Sequence, residues 1–410
     1  MKRMDKNPEK KRKILFLYPT PDVVGPRSIR ISHLSELLRD RYDIQIAGFR
    51  TTSRTIEIPG VEITRIEPSL FVRQFFHYAA TNIRDKRPIG SKWQGRLKKR
   101  IKALFFPDPW VRDQRKIRSY FYKNHRATSP DIIIAEMGPY STGALAISIQ
   151  KLFSGRPKVI FDIGDPLCNN AARLSDKKRC RNYEEKLLKQ ADHIIVTNAE
   201  TKDHFITDYG IASSQCTTLP QGVSASMIVS NGVEADKSLH TGLHFFYAGA
   251  FYPSLRDPSA FIRAFEGMEV SDMLLTIVDR LGFLDSNPVD GRVRVFGAVE
   301  QEQLKEFYQS ADVLLYFDNA TGIQTPGKIY ELLACQKPIL FVYENPSSPA
   351  KRLLRAYKHI VYCKNNPQDI SRGIHEIQTK DFDMEYEMVD FLWERRAEEL
   401  DRLIGSLLED

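Results

Sequence analysis

The chain has 410 residues, 42% of them hydrophobic and 27% charged, with a net charge of +8. That is the make-up of a soluble globular protein with room for two domains, each large enough for its own core. No apolar run approaches the roughly 20 residues of a membrane span, and the charged stretch 1–13 lacks the apolar core of a secretory signal, so the chain is expected in the cytoplasm.

Five cysteines, Cys168, Cys180, Cys216, Cys335 and Cys363, lie far apart. An odd number without paired ligand spacing predicts reduced thiols and no metal site. The positive charge is local. Residues 84–126 hold 15 Lys/Arg against 3 Asp, a net +12, and residues 1–13 hold 7 against 2, a net +5, which leaves the rest of the chain acidic. A basic patch on an acidic body needs a polyanionic neighbour, either an anionic membrane surface or nucleic acid.

Residues 13–18 read as a buried strand, 19–25 as a turn and 26–39 as a helix carrying Ile29, Ile31, Leu34, Leu37 and Leu38 in period. The loop that holds Gly25 and Arg27 lacks the glycine spacing of a dinucleotide fingerprint or a P-loop. Residues 43–48 and 61–66 are the next strands. Residues 84–126 then break the rhythm. Trp93, Leu97, Ile101, Leu104 and Phe105 share one helical face, with Lys98, Lys99 and Arg100 among the cations around it. A basic helix with such a face describes an interfacial membrane segment. Docking of that face inside its own domain is the alternative, and no nucleic-acid partner is expected.

From residue 130 strands and helices alternate again. Strands are predicted at 131–135, 158–163, 193–197 and 217–220, with helices at 145–152, 183–190 and 201–209 between them. Polar residues 223–241 mark a domain boundary, placed after 225. The second half repeats the pattern, with strands at 244–248, 273–278, 293–296, 313–317, 338–342 and 359–363. A last helix over 391–408 is expected to pack back on the first domain. Two consecutive α/β domains with a cleft between them is the physical conclusion.

In parallel sheets ligands sit at the carboxyl ends of strands, beside helix N-termini. The polar residues at those positions are Arg27, Glu136, Asp162 and Asp165 in the first half and Arg256, Gln324, Lys328 and Glu331 in the second. Lys328 and Glu331 are three apart and share a helical face. They suit a phosphate and a hydroxyl-bearing sugar, or else form a surface ion pair. Two cations fit a diphosphate that becomes a leaving group, and the carboxylates fit hydroxyl recognition or general-base work. Asp162 and Asp165 have a second reading as a metal pair, Asp165 another as a cap, and Arg27 another as an ordinary surface residue. There is no serine–histidine–acid arrangement and no nucleophile elbow.

Several runs, taken in order, carry a resemblance. They are GPRS at 25–28, EKLLKQADHIIVTN at 185–198, LPQGV at 219–223, YAGAFY at 247–252, FGAV at 296–299, TPGKIYELLACQKPIL at 325–340 and FLWERRAEEL at 391–400. The chain resembles the GT-B glycosyltransferases, in particular their GT4-like group. The resemblance implies an α/β fold of two Rossmann-like domains facing across a cleft: 1–225 for the acceptor, with the basic insertion 84–126; 226–390 for the nucleotide-sugar donor; and a closing helix in 391–410. It implies that Glu331 holds the ribose, that Arg256 and Lys328 lie near the diphosphate, that Gly249 lets the backbone approach the donor, and that Gln324 lines the same site. Asp165, Glu136, Asp162 and the loop of Gly25 and Arg27 would face the acceptor and the reacting sugar. The implied chemistry is metal-independent, retaining glycosyl transfer with no cofactor beyond the donor, and the basic aromatic helix adds the expectation that it works at the inner membrane face, on a lipid-linked or surface-polysaccharide acceptor. Where the family often has a glutamate eight residues before Glu331, this chain has Ile323. A nucleotide-sugar epimerase of the same fold and a non-catalytic assembly partner are the alternatives.

Overall fold

The structure is a computed structural model. It describes residues 11–409 apart from 54, 71, 74–104, 125–128, 169–176, 226–241, 253–254, 270–271, 285–289 and 383–388. Trp93, Leu97, Lys98, Lys99, Arg100 and Ile101 therefore lie outside the described residues. The chain divides into two compact units. One takes Met1–Cys168, Ser175–Gln221 and Trp393–Asp410, and the other Gly222–Leu392.

The first unit is built on seven parallel strands: β1 (Arg12–Leu17), β2 (Tyr42–Phe49), β3 (Glu62–Ile66), β4 (Ile132–Glu136), β5 (Lys158–Ile163), β6 (His193–Val196) and β7 (Cys216–Thr218). Their order is β3-β2-β1-β4-β5-β6-β7. Strand side chains alternate between faces, so Ile14 and Phe16 of β1 enter one core and Leu15 and Leu17 the other. Helices α1 (Pro26–Leu38), α2 (Gln114–Asn124), α3 (Ser141–Gln150), α4 (Lys177–Leu188) and α5 (Ala199–Tyr209) connect the strands. The C-terminal helix, Trp393–Glu409, belongs to this unit. It buries Trp393, Ala397, Leu400 and Ile404 among Ile14, Phe16 and Leu34.

The stretch 84–126 is not an insertion throughout. From Phe105 onward it is part of the first unit's helical layer. Ile117 and Phe121 of α2, four apart on one face, sit in the core with Trp110, which stacks on Phe49 with centroids 4.9 Å apart. Phe105 itself is 9% exposed and lies under the Arg112 guanidinium, so it does not offer its ring to a lipid surface. Of the apolar stripe that reads as a membrane face, Phe105 is the one described residue, and it is buried. The cations of α2 take the solvent side.

The second unit has six parallel strands: β8 (Leu243–Gly249), β9 (Met273–Asp279), β10 (Val293–Phe296), β11 (Val313–Phe317), β12 (Ile339–Tyr343) and β13 (Ile360–Lys364), ordered β10-β9-β8-β11-β12-β13. Helices α6 (Ser259–Glu266), α7 (Gln301–Ser310), α8 (Lys328–Ala334), α9 (Pro349–Leu354) and α10 (Pro367–Thr379) cover it. Runs such as VLLYF in β11 and ILFVY in β12 are apolar nearly throughout because a parallel strand is buried on both faces. In both units the strand order reverses beside the first strand, between β1 and β4 and between β8 and β11. Each unit is thus Rossmann-like, and each has a crevice at the carboxyl end of those strands.

Candidate functional site

In the first unit the crevice is closed by charge. Glu136 and Asp162 are register partners at the carboxyl ends of β4 and β5, so their side chains leave the sheet on the same side. Helix α1 starts after the loop from β1 and presents Arg27 and Arg30, three apart, to that side. Arg27 Nε donates to Glu136 Oε1 at 2.8 Å, and its Nη2 reaches Asp162 Oδ2 at 2.9 Å. Arg30 Nε donates to Asp162 Oδ2 at 2.8 Å and its Nη1 to the Pro220 carbonyl at 2.8 Å. Burial works against the Asp162 charge, but Arg27 and Arg30 outweigh it and hold the carboxyl below its usual range. For Glu136 burial prevails over Arg27 and raises the carboxyl.

This arrangement corrects one assignment. Glu136 is 1% exposed, with Oε1 taken by Arg27 and Oε2 by the Gly138 N–H at 3.0 Å. It cannot face a reacting sugar while so engaged. Glu136 and Asp162 anchor α1 instead, and so fix the loop of Gly25 and Arg27. Ser28 folds back on that loop, accepting from the Gly25 N–H at 2.8 Å. Asp162, committed to two arginines, does not form a metal pair with Asp165. No group of three or more His, Cys, Asp or Glu side chains that could hold a metal occurs among the described residues. Asp165, in the loop after β5, is exposed.

In the second unit the loops after β8 and β11 meet. Arg256 Nε donates to Asn319 Oδ1 at 2.7 Å across the switch point. Lys328 opens α8, half-buried, with Glu331 one turn on and its ammonium 5.9 Å from the Tyr308 ring centre. Burial lowers the Lys328 ammonium, Glu331 pulls it back up, and Arg280 and Arg256 lower it further. Glu331, Arg280 and Arg256 are thus the charges that act on the Lys328 ammonium. Arg280 is exposed at the end of β9, its N–H donating to the Gly249 carbonyl at 3.0 Å. Gln324 is buried in the loop before α8. Gly249 is small for a local reason: a Cβ there would strike the Tyr247 hydroxyl. Burial pushes the Tyr247 phenol up to about 12, against the pull of Arg256.

Sequence reasoning missed Arg30, Arg280, Asn319 and Asp318. Arg30 had a signal, its place three residues after Arg27 on one helical face. Asp318 and Asn319 follow directly on β11, a strand-end position that also flags them. Asp318 is 6% exposed with Oδ2 lacking a partner, and burial pushes its carboxyl up to about 6 against Ser348 and Arg256.

Residues 75–226 match the family described as Glycosyltransferase Family 4. Solved structures share the architecture along nearly the whole chain. Sucrose-phosphate synthase from Thermosynechococcus elongatus is similar with a TM-score of 0.68 at 13% identity, over 97% of this chain and 100% of that one. Anabaena HepE, solved with UDP and glucose, gives 0.63 at 14%, over 96% and 100%. A UDP-N-acetylglucosamine 2-epimerase gives 0.55 at 12%, over 98% and 97%. No curated protein matches in sequence. The fold is that of the GT-B glycosyltransferases.

Proposed function

We propose that this GT-B chain is a glycosyltransferase that binds its nucleotide-sugar donor in the second unit. The observation that carries this is the grouping of Arg256, Lys328 and Glu331 beside the β8/β11 switch point. As the bond from the anomeric carbon to the diphosphate breaks, negative charge grows on the departing oxygen. Arg256, steadied by Asn319, and Lys328 supply the countercharge that develops its full value at that moment. Glu331 accepts hydrogen bonds from the ribose hydroxyls. Asp165, exposed in the loop after β5, is assigned to substrate recognition within the first unit. The Family 4 match and the UDP-bound structural relative support this reading.

The reaction proceeds with retention, needs no metal because the two cations neutralise the diphosphate, and uses no cofactor beyond the donor. Its acceptor is lipid-linked or part of a surface polysaccharide, taken at the inner membrane face. Among the described residues no helix is long and apolar enough to cross a membrane. Membrane contact is therefore assigned to the basic stretches.

Thermal shift with UDP, GDP and ADP tests the donor site. One nucleotide should raise the melting temperature, and Arg256→Ala or Glu331→Ala should weaken its binding roughly 10- to 100-fold, the worth of a lost charge-assisted hydrogen bond. No shift with any nucleotide would end the proposal. Incubation with nucleotide sugars then separates the chemistries: transfer or slow hydrolysis supports a transferase, and isomerisation an epimerase. Chelation with EDTA should leave the rate unchanged.

A further inference from the structure

Glu184 lies on α4, and neither the Family 4 match nor the reading of the site gives it a role. It is 0% exposed, and among the described residues no Lys or Arg pairs with it. A buried carboxylate without a cation persists only when hydrogen bonds satisfy its lone pairs. Here four donors do so. Oε1 accepts from the Tyr140 hydroxyl at 2.6 Å and the Leu167 N–H at 2.6 Å, and Oε2 from the Cys168 N–H at 2.9 Å and the Tyr209 hydroxyl at 2.8 Å. Burial and the Glu184 charge both hold the Tyr209 phenol protonated, so it remains a donor.

The two backbone donors belong to the loop after β5 that carries Asp165. Further ties hold the same loop. The Tyr140 hydroxyl lies 3.1 Å from the Asp165 carbonyl, and Thr197 Oγ1 donates to the Gly164 carbonyl at 3.2 Å. Gly164 lies against Arg27, where a Cβ would stand 3.2 Å from Arg27 Cδ and Nη1. The loop is thus pinned on both sides of Asp165, while the Asp165 side chain stays exposed.

We propose that Glu184 is a positioning residue: its carboxylate, by gathering Leu167, Cys168, Tyr140 and Tyr209, sets the loop that presents Asp165 to substrate. This rests on the transferase reading. No isosteric replacement keeps the arrangement, because an amide offers an N–H₂ group where a second pair of donors already points.

The test compares wild type, Glu184→Gln, Asp165→Asn and the double variant. Two readouts are used: hydrogen–deuterium exchange over residues 164–168, and turnover of UDP-glucose, GDP-mannose and ADP-glucose. Glu184→Gln should speed exchange at Leu167 and Cys168 by about 10-fold or more, leaving β5 protected, with the melting temperature lowered and the unit still folded. It should lower kcat about 10-fold or more with KM for the donor within about 2-fold. The double variant should lose no more than Asp165→Asn alone, since both act through one group. Unchanged exchange, or a double variant that loses the product of the two single effects, would overturn the proposal. Glu184→Ala strands four donors and is expected to unfold the unit, so Glu184→Gln carries the test. A wild-type protein inert towards all three sugars would overturn the transferase reading, while exchange would still decide whether Glu184 holds the loop.

Discussion

Arg30 shows how a residue can matter to a site it never touches. It is fully buried, and it ties the β5 carboxylate to the β7 end through Asp162 and Pro220. Removing one partner of a buried ion pair leaves the other charge uncompensated, at a cost of about 3–5 kcal/mol. Arg30→Ala should therefore lower the unfolding free energy by about that amount in denaturant titration, whereas Arg39→Ala at the C-cap of the same helix, half-exposed, should change it by less than about 1 kcal/mol. Asp318 works the other way. Its folded carboxyl is raised from 3.8 to about 6, so between those values the folded state holds a proton that the unfolded state has released. Stability then falls as pH rises from about 4 to 6, by up to about 3 kcal/mol for a shift of this size. Asp318→Asn removes that dependence. Its melting temperature should gain on wild type as pH rises from 4 to 7, and a constant difference would show that Asp318 ionises freely. The identities of Arg27, Glu136 and Asp162 as strand-end polar residues were legible in the sequence. Their mutual pairing was not, because it needs strand register and the rotation of α1, which no residue spacing carries.

At the scale of elements the sequence is a good guide where burial is uniform. The strands at 158–163, 293–296 and 313–317 agree with the structure at both ends; 313–317 is apolar throughout and buried at every position, and each of the three is followed directly by a glycine or an aspartate. Where the period is weak, the observed helices start earlier than the predicted ones. Helix α3 starts at Ser141, four residues before the predicted 145, since Ser141, Thr142 and Gly143 are buried without forming an apolar stripe. Helix α4 starts at Lys177 rather than 183 because its first turns are nearly all charged. The C-terminal helix, predicted over 391–408, spans Trp393–Glu409 and bears a stability prediction. Trp393 stacks on His33 at 5.2 Å, Tyr42 donates to Asp401 at 2.8 Å, and Leu400 and Ile404 lie in the core. Leu400→Ala should cost about 2–5 kcal/mol. Truncation after Leu392 should expose that whole core face and give a chain that melts in two steps, the lower from the first unit. A single unchanged transition would mean the helix is dispensable.

For the whole molecule the α/β organisation on two parallel sheets is legible, because alternating strand and helix patterns leave few topologies. What the pattern could not give is which basic segments meet solvent. Half of the answer lies in α2, where Arg115, Arg118, Tyr122 and Lys123 are exposed while Ile117 and Phe121 fill the core. Together with the net +12 of residues 84–126 and +5 of residues 1–13, this makes membrane binding an electrostatic proposition. Each cation near an anionic bilayer contributes about 1 kcal/mol, and the attraction decays over a Debye length of about 8 Å at physiological salt. The protein should therefore co-sediment with vesicles containing about a third phosphatidylglycerol at low salt, release as ionic strength approaches about 1 M, where the Debye length is near 3 Å, and ignore pure phosphatidylcholine. Reversing Arg115, Arg118 and Lys123 to Glu should weaken binding in proportion to the charge removed and leave the fold intact, since none of the three side chains enters the core. Release that is insensitive to salt would point to insertion of apolar side chains as the main force, and equal binding to both lipids would remove the membrane from the proposal.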